Sequence, residues 1–108
     1  MTFYNRVILT GKVMTIPRLQ YRPDGSPVVQ FPLELNDSED QPASRGRSLI
    51  NIVATGKLAQ FNFELLRTGQ HLLVKGRLNQ RRWQTPEGRK RTRIEVIATD
   101  LQTVEETG

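Results

Sequence analysis

The sequence predicts an all-β fold: a five-stranded Greek-key barrel with one short helix between the third and fourth strands and a long basic β-hairpin. Three observations predict it. Four stretches alternate apolar and polar residues with the period of two that strands show, and a fifth, Ser48 to Thr55, is rich in β-forming residues. One stretch alone, Lys57 to Arg67, carries apolar residues at helical spacing. Clusters of proline and glycine punctuate the segments between them as turns. A length of 108 residues suits one domain, and a hydrophobic content of 36% supplies one modest core.

The first strand runs over Asn5 to Val13, where Val7, Leu9, Gly11 and Val13 share a face and Ile8 interrupts the polar one. Pro17 ends it. Pro23-Asp24-Gly25 is a turn signal: a fixed φ, then a side-chain acceptor, then a residue free to take positive φ. Val29, Phe31, Leu33 and Leu35 alternate as the second strand, and Pro32 inside it requires that its missing N–H face outward or an edge. Asn36 to Arg47 is polar, holds Pro42 and Gly46, and reads as a loop. Ser48 to Thr55 (SLINIVAT) is the third strand. The helix follows, with Leu58, Phe61 and Leu65 plugging one end of the barrel and Gly69 as its C-cap. His71 to Trp83 is the fourth strand, Thr85-Pro86-Glu87-Gly88 a hairpin turn, and the return strand is the fifth. Leu72, Val74, Gly76 and Leu78 are expected to face inward, with Thr92, Ile94, Val96 and Ala98 opposite them. Five short strands with a helix after the third match a barrel of the OB type. The barrel is expected to span residues 1–104, with 105–108 a short polar end; Thr103 to Gly108 are expected to fray.

Absences narrow the function classes. There is no cysteine, hence no disulfide framework and no thiolate zinc site. The N-terminus carries no signal or transit pattern, and no apolar run approaches the ~20 residues that cross a bilayer. The expected setting is the cytoplasm, with no membrane association. No phosphate loop, nucleophile elbow or histidine-rich ligand set is present. His71, the only histidine, follows a Gly-Gln turn and reads as structural. The acids Glu34, Asp37, Glu39 and Asp40 cluster around the polar loop, separate from the basic hairpin, where a nuclease would need them converging on a metal. An enzyme is therefore not expected, nor any metal or cofactor.

The charge is concentrated. The chain carries a net +5, yet residues 77–93 alone carry +6, leaving −1 for the rest. Alternation sorts that segment: Lys75, Arg77, Arg81 and Trp83 fall on one face of the fourth strand, and Arg91 and Arg93 join them from the fifth. Arginine and lysine neutralise phosphates, and a tryptophan face stacks a base without regard to its identity. The bland alternative is a solvated hairpin whose charges oppose aggregation. Seven basic residues against one acid exceed what solubility needs. The expected binding residues are Lys75, Arg77, Arg81, Arg82, Trp83, Arg89, Lys90, Arg91 and Arg93, and the expected partner is single-stranded nucleic acid. Trp83 has a packing alternative, against the turn. Tyr4 and Phe3 are open between packing and a partner chain, Phe63 falls off the helix stripe toward a subunit contact, and Tyr21 is open between core rim and binding face.

These residues resemble the bacterial single-stranded DNA-binding protein family. The resemblance is carried by Asn5-Arg6-Val7-Ile8-Leu9-Thr10-Gly11-Lys12-Val13, Pro17, Tyr21 with its Pro-Asp-Gly turn, and Phe31. It continues through Gly56-Lys57-Leu58-Ala59, Leu66-Arg67-Thr68-Gly69, Val74-Lys75-Gly76-Arg77-Leu78, Arg82-Trp83 and Glu95-Val96, from about Asn5 to Leu101. The resemblance implies an OB fold and binding of single-stranded DNA with little sequence preference in replication, recombination or repair. It also implies homo-oligomers, dimer or tetramer, pairing first strands around Asn5 to Val13. Trp83 matches one of the family's stacking positions. Leu49, Thr55 and the stretch Asn36 to Asp40 stand where other members carry further aromatics, which implies weaker, more salt-sensitive binding. The chain stops without the acidic tip by which members recruit replication and repair proteins. The sequence is then either a truncated domain or a short paralogue; if short, it resembles the primosomal replication protein N group or the short cyanobacterial and plastid members. A replication-restart adaptor and an RNA-binding barrel are the alternative functions.

Overall fold

β1 (Val7–Val13) opens a ring of five strands. The structure is a computed structural model that describes residues 4–35 and 48–105, the side chains of Phe61, Asn62 and Leu65 excepted. The loop expected over Asn36 to Arg47, with Asp37, Glu39 and Asp40, lies outside the described residues, as do Phe3 and the side chains of Phe61 and Leu65 assigned to the barrel plug. β1 pairs antiparallel with β5 (His71–Gln84), which pairs with β6 (Lys90–Thr103). β6 runs parallel to β4 (Leu49–Thr55), β4 pairs with β3 (Pro27–Leu35), and β3 returns to β1 through Gly11↔Leu35 and Val13↔Leu33. Closure leaves Val7 to Thr10 of β1 with one side unpaired, and this is the predicted Greek-key order.

A sixth strand was not expected. β2 (Arg18–Tyr21) pairs with Pro27–Gln30 of β3 and stands outside the ring. β3 thus changes neighbour along its length, from β2 to β1. Pro32 sits at the change: its carbonyl accepts from the Met14 N–H at 3.2 Å, so its N–H-less nitrogen faces the gap where β2 has ended. This satisfies the constraint the proline set on the sequence.

The core lies where alternation places it. Val13, Val29, Phe31, Leu33, Ile52, Leu72, Val74 and Val96 are fully buried, and Ala54 and Ala98 fill between them. Each large side chain contributes about 1.5–3 kcal/mol by leaving water. The helix is shorter than its spacing suggested: α1 covers Gly56–Asn62 and a 3-10 turn continues over Phe63–Leu65. Ala59 and Leu66 join the core and Leu58 packs against it. Phe63, which falls off the stripe, is half-buried and packs against the core. Gly69 lies beyond the helix, where its N–H donates to the Val13 carbonyl at 2.7 Å. The expected fraying begins later than Thr103, since β6 includes Thr103 and the Val104 N–H donates to the His71 carbonyl.

β5 and β6 are each 14 residues long and slip register at a β-bulge. Lys75 pairs with Asp100 but Gly76 with Ala98, so Thr99 has no partner across the ladder. Its hydroxyl donates to the Lys75 carbonyl at 3.2 Å. Gly76 is required here because a Cβ would strike the Ile97 carbonyl. The two strands stay with the barrel past the bulge, where Glu95, Val96 and Ile97 of β6 pair with β4; beyond Asn79 and Glu95 they leave it as an arm. Leu78 (44% exposed) lies at the root of the arm and Ile94 (52% exposed) on it, and Thr92 is exposed beside them. Their inward assignment is corrected: the parity was right, but no second layer covers that face beyond the barrel. Asn5 braces it instead, accepting from the Leu78 N–H and donating to the Leu78 carbonyl, both at 2.8 Å.

Candidate nucleic-acid interface

The arm's turn is built from its sequence. Pro86 presets φ, the Gly88 N–H donates to the Thr85 carbonyl at 2.9 Å, and Gly88 takes φ +86°. The Thr85 hydroxyl accepts from the Arg89 N–H and Gln84 donates to the Gly88 carbonyl, each at 3.1 Å. With the turn fixed, the register is fixed: Trp83 opposes Arg91, Arg81 opposes Arg93, and Asn79 opposes Glu95. The Pro23-Asp24-Gly25 turn between β2 and β3 has the same plan, with Gly25 donating to Arg22 and Arg22 to Ser26. There the Ser26 hydroxyl and then its N–H donate to the Asp24 carboxylate, holding its pKa below the usual value of 3.8.

The arm and β2 are the two walls of a cleft whose floor is β3, β4 and β6. Its central groove, about 570 Å³, is lined from β2 by Gln20 and Tyr21, from β3 by Gln30, from β5 by Arg77, Asn79 and Arg81, and from β6 by Glu95. An adjoining hollow of about 310 Å³ shares Gln20 and Gln30 and adds Arg18, Asn51 and Arg93. A third, about 340 Å³, lies among Arg81, Trp83 and Arg93. Shared residues make these one continuous depression. Its walls carry Arg18, Arg22, Arg77, Arg81 and Arg93. Arg81 and Arg93 face each other directly across the strands, an arrangement of like charge that destabilises a sheet unless an anion relieves it. Trp83 is 45% exposed, its ring open to the hollow between them, which answers the packing alternative.

The structure brings Arg77, Arg81, Trp83 and Arg93 to the cleft and puts Arg91 on the same face beside Trp83. It does not bring the other predicted residues there. Arg82 and Lys90 fall on the opposite face by register, with Arg82 donating to Gln80 at 3.1 Å. Arg89 follows the turn at the tip. Lys75 precedes the bulge and lines a separate hollow with Arg6 and Ile8. Sequence reasoning missed Arg18, Gln20 and Arg22, although Arg18-Leu19-Gln20-Tyr21 alternates just ahead of a turn. It also missed Gln30, Asn51 and Asn79. Tyr21, left open, is 68% exposed and lines the groove. Glu95 lies on the arginines' face but at the floor, only 4% exposed. Leu49 is exposed at the start of β4 and Thr55 lines the groove, so two of the positions that lack an aromatic are on or near this surface. Among the described residues no group of three or more His, Asp or Glu is placed to hold a metal ion.

Comparison with known proteins agrees with this geometry. The profile of the Single-strand binding protein family matches residues 4–104. A single-stranded DNA-binding protein of Thermotoga maritima is 35% identical over 101 residues, which covers 91% of this chain and 72% of that protein. One from Halalkalibacterium halodurans is 34% identical over 105 residues, covering 96% and 62% respectively. The crystal structure of a deletion mutant of the single-stranded DNA binding protein from Thermus aquaticus superposes with a TM-score of 0.78 at 26% identity. It covers 97% of this chain and 52% of that one.

Proposed function

The chain belongs to the single-strand binding protein family, and from that premise we propose that it binds single-stranded DNA along the cleft between β2 and the arm. The opposed pair Arg81 and Arg93, with Trp83 open beside it, carries the reading. Phosphates lie over Arg77, Arg81, Arg91 and Arg93, and Arg18 and Arg22 hold them from the other wall. A base stacks on Trp83 and another on Tyr21, each contributing about 1–3 kcal/mol with little regard to base identity. Duplex DNA does not fit this scheme, because its bases are not free to stack. The role is one of binding and not catalysis, and it serves replication, recombination or repair in the cytoplasm, at the nucleoid. No helix among the described residues is long and apolar enough to cross a membrane.

The chain acts as a homo-oligomer in this reading. Val7 to Thr10 of β1 pair with β5 only, and Tyr4 and Ile8 are exposed next to that edge. A second β1 from another copy would complete the ladder.

The experiment is a fluorescence titration of Trp83, the only tryptophan, with oligo-dT at low and high salt, beside oligo-U and duplex DNA. The expected result is quenching at low salt, with affinity falling steeply as salt rises. No quenching at low salt, or equal affinity for duplex, would sink the proposal; tighter binding to oligo-U would move it to the RNA class.

A further inference from the structure

One acid lies at the centre of the cationic cleft. Glu95 lines the central groove between Arg77, Arg81 and Arg93, and only 4% of it is exposed. It pairs with Asn79 of β5 on one side and Asn51 of β4 on the other. Neither amide reaches Oε2. Asn79 donates to Glu95 Oε1 at 3.1 Å, and Asn51 donates away from it, to Gln30 Oε1 at 3.2 Å. Glu95 Oε2 is buried and accepts no hydrogen bond, even with three arginines on the same face. A buried acceptor without a donor is costly, and more so on a charged group. Such an atom in a binding groove marks a place where a ligand's donor belongs.

Resting on the proposal that the cleft binds single-stranded DNA, we propose that Glu95 Oε2 accepts a hydrogen bond from the exocyclic amino group of one base. The carboxylate repels phosphate, so of the groups a strand can offer, only a base donor approaches it. Cytosine presents its amino group to carboxylates in this way. Thymine's one N–H on that edge lies between two carbonyl oxygens, which a carboxylate repels. Asn79 fixes Oε1, so the open acceptor has a set position and not a free rotor. The cleft therefore discriminates at one base position while the arginines and Trp83 bind without discrimination.

The test is the ratio of affinities for oligo-dC and oligo-dT of equal length, at one salt concentration, for wild type and Glu95→Gln. If Asn79 continues to donate to the amide oxygen, the new NH₂ occupies the place of Oε2 and suits thymine's carbonyls. The dC:dT ratio is then expected to fall by about tenfold, the size of one hydrogen bond to a charged acceptor. A ratio unchanged in a folded variant overturns the proposal. Oligo-dC dimethylated at the exocyclic amine tests the same contact on unaltered protein: it should lose about tenfold against plain oligo-dC, and equal binding overturns the proposal. If wild type binds no single strand at all, the failure lies in the functional reading itself, and the two failures are thereby distinguished.

Discussion

The two halves of β5 and β6 share a hairpin and an alternating pattern but not a fate. Within the barrel, Leu72, Val74 and Val96 are fully buried. Where the β4 ladder ends and beyond it, Leu78 and Ile94 keep the same parity and are half in water. Alternation specifies which face a side chain takes, not whether anything covers that face. The barrel half draws its stability from burial. The arm half draws its form from the turn, the ladder and the Asn5 brace, and spends its outer surface on arginine.

The contrast predicts a graded series. Leu72→Ala should cost about 2–5 kcal/mol in a denaturant melt, because it opens a cavity in the core. Gly76→Ala, at the bulge, should cost about 1–3 kcal/mol, because backbone must shift to admit the Cβ. Trp83→Ala should leave the melt unchanged and remove about 1–3 kcal/mol of oligo-dT affinity, read by anisotropy with labelled DNA. Leu78→Ala at the root of the arm should change stability by only about 0.5 kcal/mol. A large loss there would show that the arm has a packing partner in solution, and would break the distinction between the halves. The smallest effect belongs to the other hairpin. Asp24 has its folded pKa lowered, so its contribution is present above the unfolded value of 3.8 and fades as pH falls through the folded one. It is fully exposed, so the effect is visible in an NMR titration of the Asp24 carboxyl and not in the melt.

Most of the ring was legible because most barrel strands write their burial as a period of two. Phe31 and Leu33, Leu72 and Val74 fell where alternation put them, while β4, buried on both faces from Asn51 to Ala54, was legible from its β-rich composition. β2 was not, because the five residues between Pro17 and Pro23 alternate over too short a run to stand out, and only pairing with β3 makes four of them a strand. The helix end was misjudged because Leu58, Phe61 and Leu65 keep helical spacing through a 3-10 turn. The arm's contribution to the cleft was legible from parity within one hairpin. The opposite wall was not: Arg18 and Arg22 lie some sixty residues from Arg81, and no local pattern records that closure of the ring brings them to one surface. Alternation alone places Glu95 on the arginines' face, but its cross-strand position between two asparagines decides its environment.

The end of the β4 ladder has a mechanical consequence. β6 pairs with β4 only at Glu95, Val96 and Ile97, and Glu95 lies opposite Asn79, so the free arm begins at Gln80. From Gln80 to Thr85 it is a rod of roughly 20 Å at the usual rise per strand residue. It is anchored at one end, where the β4 ladder stops, and free at the other. A tilt of about 10° at that anchor carries the tip through roughly 3 Å, while Arg77, held within the barrel, hardly moves. The cleft thus has one fixed jaw in β2, one fixed set of contacts near the pivot, and a tip whose reach over a bound strand is set by a small angle where the ladder ends.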